Sequence, residues 1–223
     1  MDELHRDPAF VARERDRGRQ TVENLARYRR AAAPVLAELH EAGYPVDSIG
    51  ELREAGARYP GAIPILLHWL PRISDSAVKE DIVRTLSVPW ARPTAAPVLI
   101  EEFRNLPKTE DPTGTALHWA IGNALEVVAA RNVLDELIEI ALDRRHGVAR
   151  QMVVLALARP RDARVVPTLV SLLDDADVAG HAAMALGRLR AEVARGPLEA
   201  LAASTPQAWV RTEAERALAK ISS

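Results

Sequence analysis

An indole and an amide lie one helical turn apart at Trp119 and Asn123. Residues four apart share one face of an α-helix, so both side chains can meet the same ligand. Arg150 is predicted at a matching place on a later helix, and tryptophan and arginine dominate many measured binding interfaces. The three residues therefore predict an anchor for a peptide or another protein. The alternative is structural, with Trp119 packed against a neighbouring helix and Asn123 bonded to a nearby turn.

The histidines are the obvious candidates for a metal site, but their spacing does not favour one. Zinc binding on a helix needs two histidines four residues apart, as in His-Glu-x-x-His. Four histidines instead stand alone: His68, His118, His146 and His181. The chain has no cysteine, which excludes thiolate ligands and cysteine nucleophiles. We therefore expect no metal and no cofactor.

The carboxylates do not form a recognisable acid–base pair. Glu80-Asp81 and Glu101-Glu102 are adjacent pairs, and adjacent side chains diverge by about 100° around a helix. The sequence also lacks a glycine-rich phosphate loop and the Gly-x-Ser-x-Gly motif of hydrolases. We therefore expect a protein that is not an enzyme.

Charge and hydropathy narrow the class of partner. The 223 residues carry a net charge of −2, whereas a nucleic-acid binder usually has a basic surface. All basic residues except Lys79, Lys108 and Lys220 are arginine, which suits the binding of carboxylate or phosphate. No apolar run approaches the roughly 18 residues of a membrane helix, and the first six residues lack the segments of a signal peptide. We therefore expect a cytoplasmic protein without a membrane span.

The elements that must position these side chains are repeated along the chain. A proline followed by apolar residues recurs roughly every 30 residues, a period typical of stacked helical repeats. The clearest copies are Ala33-Pro34-Val35-Leu36, Ile63-Pro64-Ile65-Leu66, Ala96-Pro97-Val98-Leu99 and Val166-Pro167-Thr168-Leu169, with Pro197 as a looser one. Proline is tolerated in the first turn of a helix because the N–H there has no partner. Each copy therefore predicts the start of a helix.

Each proline-led helix is followed by a second helix. The second helices are predicted to begin near Val78, Leu117, Val148, Val178 and Val210. Apolar residues recur four and eight positions after each start, and such positions share one helical face. The pattern predicts about six two-helix units, each of which buries this stripe only by stacking on its neighbours. Their bounds are 33–62, 63–95, 96–131, 132–163, 164–193 and 194–223.

Two regions depart from the repeat. Residues 104–114 lengthen the turn inside the third unit, either as a functional loop or as a tolerated surface insertion. Residues 1–32 are predicted to form a basic amphipathic helix that caps a repeat domain at 33–223. Its arginines would suit contact with phosphate or an anionic membrane, but we favour a solvated helix whose apolar stripe covers the first unit. That stripe consists of Val22, Leu25, Tyr28 and Ala32.

Several segments resemble the HEAT-repeat family. The run Leu172–Gly187, Leu-Leu-Asp-Asp-Ala-Asp-Val-Ala-Gly-His-Ala-Ala-Met-Ala-Leu-Gly, resembles the short HEAT type named after phycobilisome lyases. The second-helix openings Val78-Lys79, Val148-Ala149-Arg150 and Val210-Arg211 resemble the same family. The resemblance covers about residues 33–223 and implies an all-α fold, an α-α superhelix of about six repeats. It does not imply lyase activity, because such repeats occur in many proteins that handle no pigment.

The resemblance also implies where a partner would bind, because second helices usually line the concave surface of HEAT-like solenoids. The outward positions of these helices are Glu80, Arg84, Trp119, Asn123, Arg150, Gln151 and His181. We therefore expect a monomeric, non-enzymatic scaffold that binds another protein or a peptide there. The alternative is a nucleic-acid-binding protein related in architecture to HEAT-like alkyl-base DNA glycosylases, although no catalytic motif of theirs can be matched residue by residue.

Overall fold

The computed structural model describes residues 8–106 and 116–222. Every regular element within these residues is a helix, and neighbouring helices pack in pairs. This confirms the predicted all-α class and the pairing expected of a helical-repeat array. The predicted 104–114 insertion lies mostly outside the described residues.

Contacts between Cα atoms divide the chain into two compact units, Met1–Ile82 and Val83–Ser223. The helices of the first unit are α1 (Pro8–Glu41), α2 (Glu51–Glu54), α3 (Ala62–Trp69) and the greater part of α4 (Ser76–Leu86). In this unit α1 packs on α3, and Trp69 Nε1 donates a hydrogen bond to the Glu38 carboxylate at 2.6 Å. The long first helix is thus fixed by both apolar and polar contacts.

Asp81 of α4 links three segments of the first unit. Its carboxylate accepts hydrogen bonds from the Tyr28 hydroxyl, from the Gly50 backbone N–H at 3.1 Å and from Arg53 Nη1 at 2.9 Å. Burial, and then the hydrogen bond to Asp81, raise the pKa of Tyr28, so its hydroxyl stays protonated and continues to donate. This carboxylate therefore has a structural role in the unit.

The second unit contains the most regular repeats. Its helices are α5 (Ala95–Asn105), α6 (Ala116–Val128), α7 (Leu134–Leu142), α8 (Gln151–Ala156), α9 (Val166–Ser171), α10 (Ala179–Leu189), α11 (Arg195–Ser204) and α12 (Ala208–Ile221). The second helices of successive repeats, α6, α8, α10 and α12, pack side by side. Each of the first helices α5, α7, α9 and α11 packs on the second helix that follows it.

Glycine allows the second helices to approach one another closely. A methyl group on Gly122 of α6 would lie 2.7 Å from Met152 Cβ of α8. At Gly180 of α10, the Trp209 ring of α12 occupies the space that a methyl group would need. Glycine inside a helix costs about 1 kcal/mol relative to alanine. At these two positions glycine lowers the helix propensity but permits close packing of the helices.

Four of the five predicted proline-led starts are confirmed. Pro64, Pro97 and Pro197 are the third residues of α3, α5 and α11, and Pro167 is the second residue of α9. The start predicted at Pro34 is wrong, because this residue lies inside the continuous helix α1. Pro34 is exposed, so water can bind the carbonyl that the missing N–H leaves without a helical partner.

The predicted boundary between residues 32 and 33 falls within α1, whereas the division of the chain into two compact units follows Ile82. Of the predicted apolar stripe, Ala32 is buried and Tyr28 is half-buried, whereas Val22 and Leu25 are exposed. Capping of the repeat domain by the N-terminal segment stays a prediction.

Four of the five predicted second helices begin within two residues of their expected positions, namely α4, α6, α10 and α12. The residues four and eight positions after each predicted start are buried, apart from the half-buried Leu218. This confirms the helical stripe in these four helices.

The register predicted for the remaining second helix, α8, is wrong. Residues Arg144–Arg150 form a 3₁₀ segment in which Gly147 takes a positive φ of 49°, and α8 begins only at Gln151. α-Helical spacing counted from Val148 therefore does not apply. Val148 is half-buried, and the position expected to face solvent, Arg150, is buried instead.

Candidate functional site

Four side chains near the N-terminal ends of neighbouring second helices form what we name the second-helix row. They are Trp119 of α6, Gln151 of α8, His181 of α10 and Trp209 of α12. These helices pack side by side, and the rings of His181 and Trp209 lie 5.6 Å apart in an edge-on contact. Within the row, His181 and Trp209 therefore connect α10 to α12.

Trp119 and Asn123 both point outward from α6, as their spacing predicts. Trp119 is 37% exposed, and Asn123 is exposed. An indole that keeps a third of its surface in water offers apolar area to a partner. The role of the two residues in binding stays a prediction.

Trp209 lies at the start of the last second helix, and this place in the sequence favours a structural role. In the structure its side chain is 44% exposed. One part of its ring lies over Gly180, and Nε1 donates to Gln207 Oε1 at 3.0 Å. The absence of a side chain at Gly180 leaves the space that this part of the ring occupies. A sequence pattern based on buried stripes does not identify this side chain, because its position depends on the neighbouring helix.

His181 lies half-buried beside Trp209. Burial lowers the pKa of His181, and the nearby Glu213 carboxylate opposes this effect. Its buried Nδ1 has no hydrogen-bond partner within the described residues. The row therefore presents a neutral imidazole rather than a cation at ordinary pH.

Arg150, predicted to be an exposed partner-binding residue, is fully buried. Its Nε donates to the Gly147 carbonyl at 3.0 Å, and Nη1 donates to the Ala141 carbonyl at 2.9 Å. Nη2 donates to Asp175 at 3.0 Å and lies 3.6 Å from Asp177. The prediction is wrong because the 3₁₀ segment before α8 turns this side chain inward, where the fold provides acceptors.

The Arg150 ion pair joins two successive repeats. Asp175 is itself buried and accepts from the Asp177 backbone N–H at 3.1 Å, so it shapes the turn before α10 while it pairs with Arg150. Arg144 adds an exposed ion pair to the same carboxylate at 3.3 Å. A buried ion pair of this kind costs about 3–5 kcal/mol to break from one side, because one charge is left alone. Arg150 therefore acts in the architecture of the second unit.

The other predicted contact residues differ in what they offer. Gln151 is half-buried and donates through Nε2 to the Asp177 carbonyl at 2.8 Å. On α4, Glu80 is half-buried and Arg84 is exposed. Of the predicted contact residues, Trp119, Gln151 and His181 belong to the second-helix row. Asn123 lies one turn further along α6.

Two histidines that stand alone in the sequence meet the same aromatic ring. The Phe103 ring lies 5.2 Å from His118 and 5.2 Å from His146. Burial, together with the nearby His146, lowers the pKa of His118. His146 Nε2 lies 3.5 Å from Asp143. Within the described residues, no group of three or more histidine or carboxylate side chains is arranged to hold a metal ion.

A cleft with a volume of about 930 Å³ lies among α9, α11 and the C-terminal end of α10. Its apolar surface consists of Val166, Pro167, Val170, Leu189, Val193 and Pro197, with two alanines. The remaining lining residues within the described chain are Arg161, Arg188 and Arg190. An apolar cleft with only cationic polar groups is suited to an apolar molecule that carries a negative charge.

Two of these arginines have an unusual backbone. Arg161 and Arg190 have φ values of 51° and 52°, in the left-handed region where glycine is the usual residue. This conformation costs other residues about 1 kcal/mol or more. Arg190 ends α10 in this conformation, with its N–H bonded to the Leu186 and Gly187 carbonyls. The sequence alone gives no sign of either conformation.

The comparisons with known proteins agree with this architecture. A family model described as HEAT repeats matches residues 134–219. This segment is similar to HEAT repeats. The matched HEAT segment begins with α7 and ends in α12, so it includes the Arg150 ion pair, the cleft and most of the second-helix row. No curated protein matches the chain significantly. The likeness to the short lyase-type HEAT repeats remains a resemblance.

HEAT repeats are generally protein-interaction scaffolds, and the family is typically non-catalytic. Within the part of the chain that the structure describes, no helix has the length and hydropathy needed to cross a membrane. The HEAT segment thus gives a general class of function but identifies no partner.

Proposed function

We propose that this chain is a non-enzymatic scaffold that binds another protein or a peptide through the second-helix row, on the face that is concave in HEAT-like solenoids. The observation that carries the proposal is the pair of exposed tryptophans, Trp119 and Trp209, on helices packed side by side. Tryptophans that retain exposed surface are frequent anchors of protein interfaces. Asn123 adds hydrogen-bonding groups one turn from Trp119.

Two side chains of the row are held in place by neighbouring groups. Gln151 is held by the Asp177 carbonyl, and Trp209 is held by Gly180 and Gln207. Side chains that are already fixed lose less conformational freedom on binding. A partner with apolar side chains at matching spacing would therefore bind without a large ordering cost.

The nucleic-acid alternative gains no support from the basic N-terminal helix. Arg17 and Arg19 pair with acidic residues one turn earlier on α1, and Arg27 Nε lies 3.1 Å from Asp75. Arginines that are paired in this way contribute less to a basic surface for phosphate binding. We therefore retain protein binding as the proposal.

The proposal is tested by affinity capture from the native host, followed by calorimetric titration of each recovered partner. Replacing Trp119→Ala together with Asn123→Ala should weaken binding by about 2 kcal/mol, the size typical of an interface hot spot. Circular dichroism and thermal unfolding should show that the variant remains folded, because both side chains point outward.

Leu142→Ala provides the matched control. Leu142 is an exposed apolar residue of the first helix α7 and lies outside the row. The control should bind the partner like the unmodified chain. If the Trp119 and Asn123 variant also binds with unchanged affinity, the partner uses another surface and the proposed site is wrong.

A further inference from the structure

We propose that the cleft bounded by α9, α11 and the end of α10 binds a small organic acid: a carboxylate with an unbranched or aromatic apolar body. The site is separate from the second-helix row, and this inference does not depend on the proposed function. It is carried by three observations: the volume of the cleft, its two kinds of lining residue, and the backbone conformation of two arginines.

The volume sets the size of the ligand. At about 930 Å³, the cleft falls in the range of roughly 300–1,000 Å³ that is typical of small-molecule sites. All of its lining residues come from Arg161–Pro197, a single stretch of the second unit. The site is therefore complete within one compact part of the chain.

The lining sets the chemistry of the ligand. Apart from the arginines, the described lining residues are apolar, and none is a hydroxyl, amide or carboxylate side chain. A peptide in this cleft would bury backbone N–H and C=O groups without partners, which is unfavourable. An alkyl or aryl carboxylate has polar atoms only at its head, where a guanidinium can donate two parallel hydrogen bonds. The cleft thus favours a small acid over a peptide.

The charge of the cleft is partly uncompensated. Arg188 Nη1 donates to Glu126 at 2.6 Å, so a carboxylate of α6 already neutralises this residue. Arg161 and Arg190 form no side-chain hydrogen bond or ion pair within the described part of the chain. Two exposed guanidinium groups at one apolar cleft are therefore available to an anionic ligand.

The backbone supports the same assignment. Arg161 and Arg190 each occupy a left-handed position, where glycine would be the less strained choice. Strained backbone positions of this kind are concentrated at functional sites. A structural reason for arginine would be its charge near the C-terminal end of a helix, and the experiment below separates that reason from ligand binding.

The experiment titrates decanoate into the full chain, below the concentration at which it forms micelles, and follows backbone amide shifts by NMR. Decanoate should bind saturably, with the largest shifts at Val166, Val170 and Leu189. Decanol, which has the same chain and no charge, should bind at least about tenfold more weakly, as expected for loss of a charge-assisted hydrogen bond. Equal affinity for decanol and decanoate would overturn the proposal.

The decisive variant is Arg161→Gly with Arg190→Gly, which removes both guanidinium groups and suits the left-handed backbone. It should remain folded and lose decanoate affinity by about tenfold or more. Arg159→Ala removes an exposed arginine that does not line the cleft and should leave the affinity unchanged. If the glycine variant binds decanoate normally, the arginines serve the helix ends alone and the proposal is wrong.

A titration with a short peptide distinguishes a small organic acid from the C-terminal carboxylate of a peptide. Acetyl-Ala-Leu-Leu carries a free C-terminal carboxylate and apolar side chains, and it should bind more weakly than decanoate because its backbone groups find no partners. If it binds more tightly than decanoate and loses that affinity in the glycine variant, the occupant is a peptide terminus and the assignment to a small acid is wrong.

Discussion

Two sets of arginines in the second unit differ in what their guanidinium groups meet. Arg150 is fully buried, and three of its nitrogen atoms donate to acceptors supplied by the Ala141, Gly147 and Asp175 positions. Arg161 and Arg190 line a cleft and find no such acceptors within the described residues. The charge is the same in both sets, so the acceptors that the fold supplies decide between a structural role and a binding role.

The backbone strengthens this contrast. Arg150 has ordinary right-handed helical angles, whereas Arg161 and Arg190 have positive φ. At Arg150 the hydrogen-bond partners stabilise the side chain. At Arg161 and Arg190 the left-handed backbone conformation is strained and therefore destabilising.

Loss of the buried guanidinium should have the largest effect. Arg150→Ala leaves the buried Asp175 without its main partner, and we expect the free energy of unfolding to fall by about 3–5 kcal/mol. Urea denaturation followed by circular dichroism measures this change. The variant should also lose cooperativity in the second unit, because the ion pair joins two repeats.

Arg144→Ala is the matched control, because Arg144 pairs with the same Asp175 carboxylate from an exposed position. An exposed ion pair contributes about 0–1 kcal/mol, so this variant should unfold almost like the unmodified chain. Equal losses in the two variants would mean that burial does not distinguish the arginines, and the contrast would fail.

The contrast also shows what the sequence could reveal. The starts at Pro64, Pro97, Pro167 and Pro197 were predictable because a first-turn proline is a local signal that needs no tertiary information. Pro34 gave the same signal inside α1, since the local pattern does not reveal that the residues before it are helical too. The buried stripes were predictable for a similar reason, because helical periodicity is local.

The candidate site was less predictable, because its parts depend on contacts between distant residues. The burial of Arg150 follows from a 3₁₀ segment and from acceptors 9 and 25 residues away. The position of Trp209 depends on Gly180 of another helix, and the cleft is lined by left-handed arginines where sequence rules expect glycine. Trp119 and Asn123 were identified correctly as outward-facing residues because α6 is regular.

A second prediction tests the strained backbone of the cleft. At an ordinary helical position, alanine is more stabilising than glycine by about 1 kcal/mol. At Arg190 the order should reverse: Arg190→Gly should be more stable than Arg190→Ala by about 1 kcal/mol, because only glycine accepts the left-handed conformation without strain. Thermal and urea unfolding of the two variants measure the difference.

The control for this reversal is Arg188, which lies in the regular part of α10 two residues earlier. Arg188→Ala should be more stable than Arg188→Gly, in the ordinary order. If both positions show the same order, Arg190 is not strained in solution, and the backbone argument for the cleft loses its basis.

The smallest effect should come from the buried His118 and the half-buried His181, which extend the contrast from charged to neutral side chains. Burial lowers the pKa of both His118 and His181, so both are neutral in the folded chain at neutral pH. The unfolded chain binds protons at these residues with a pKa of about 6.5. Stability should therefore be constant above about pH 7.5 and should fall as the pH decreases through about 6.5, because the unfolded state binds more protons than the folded state there.

Urea unfolding at pH 7.5, 6.5 and 5.5 measures this slope, which should become flatter in the variant His118→Gln with His181→Gln. The Asp143 carboxylate does not contribute to this slope: the hydrogen bond from Arg145 holds the pKa of Asp143 well below its usual range, so that interaction is lost only at far lower pH. An unchanged slope in the double variant would show that these imidazoles are protonated equally in both states. In that case the histidines would not be kept neutral by burial. The contrast between arginines with different surroundings would then not extend to these imidazoles.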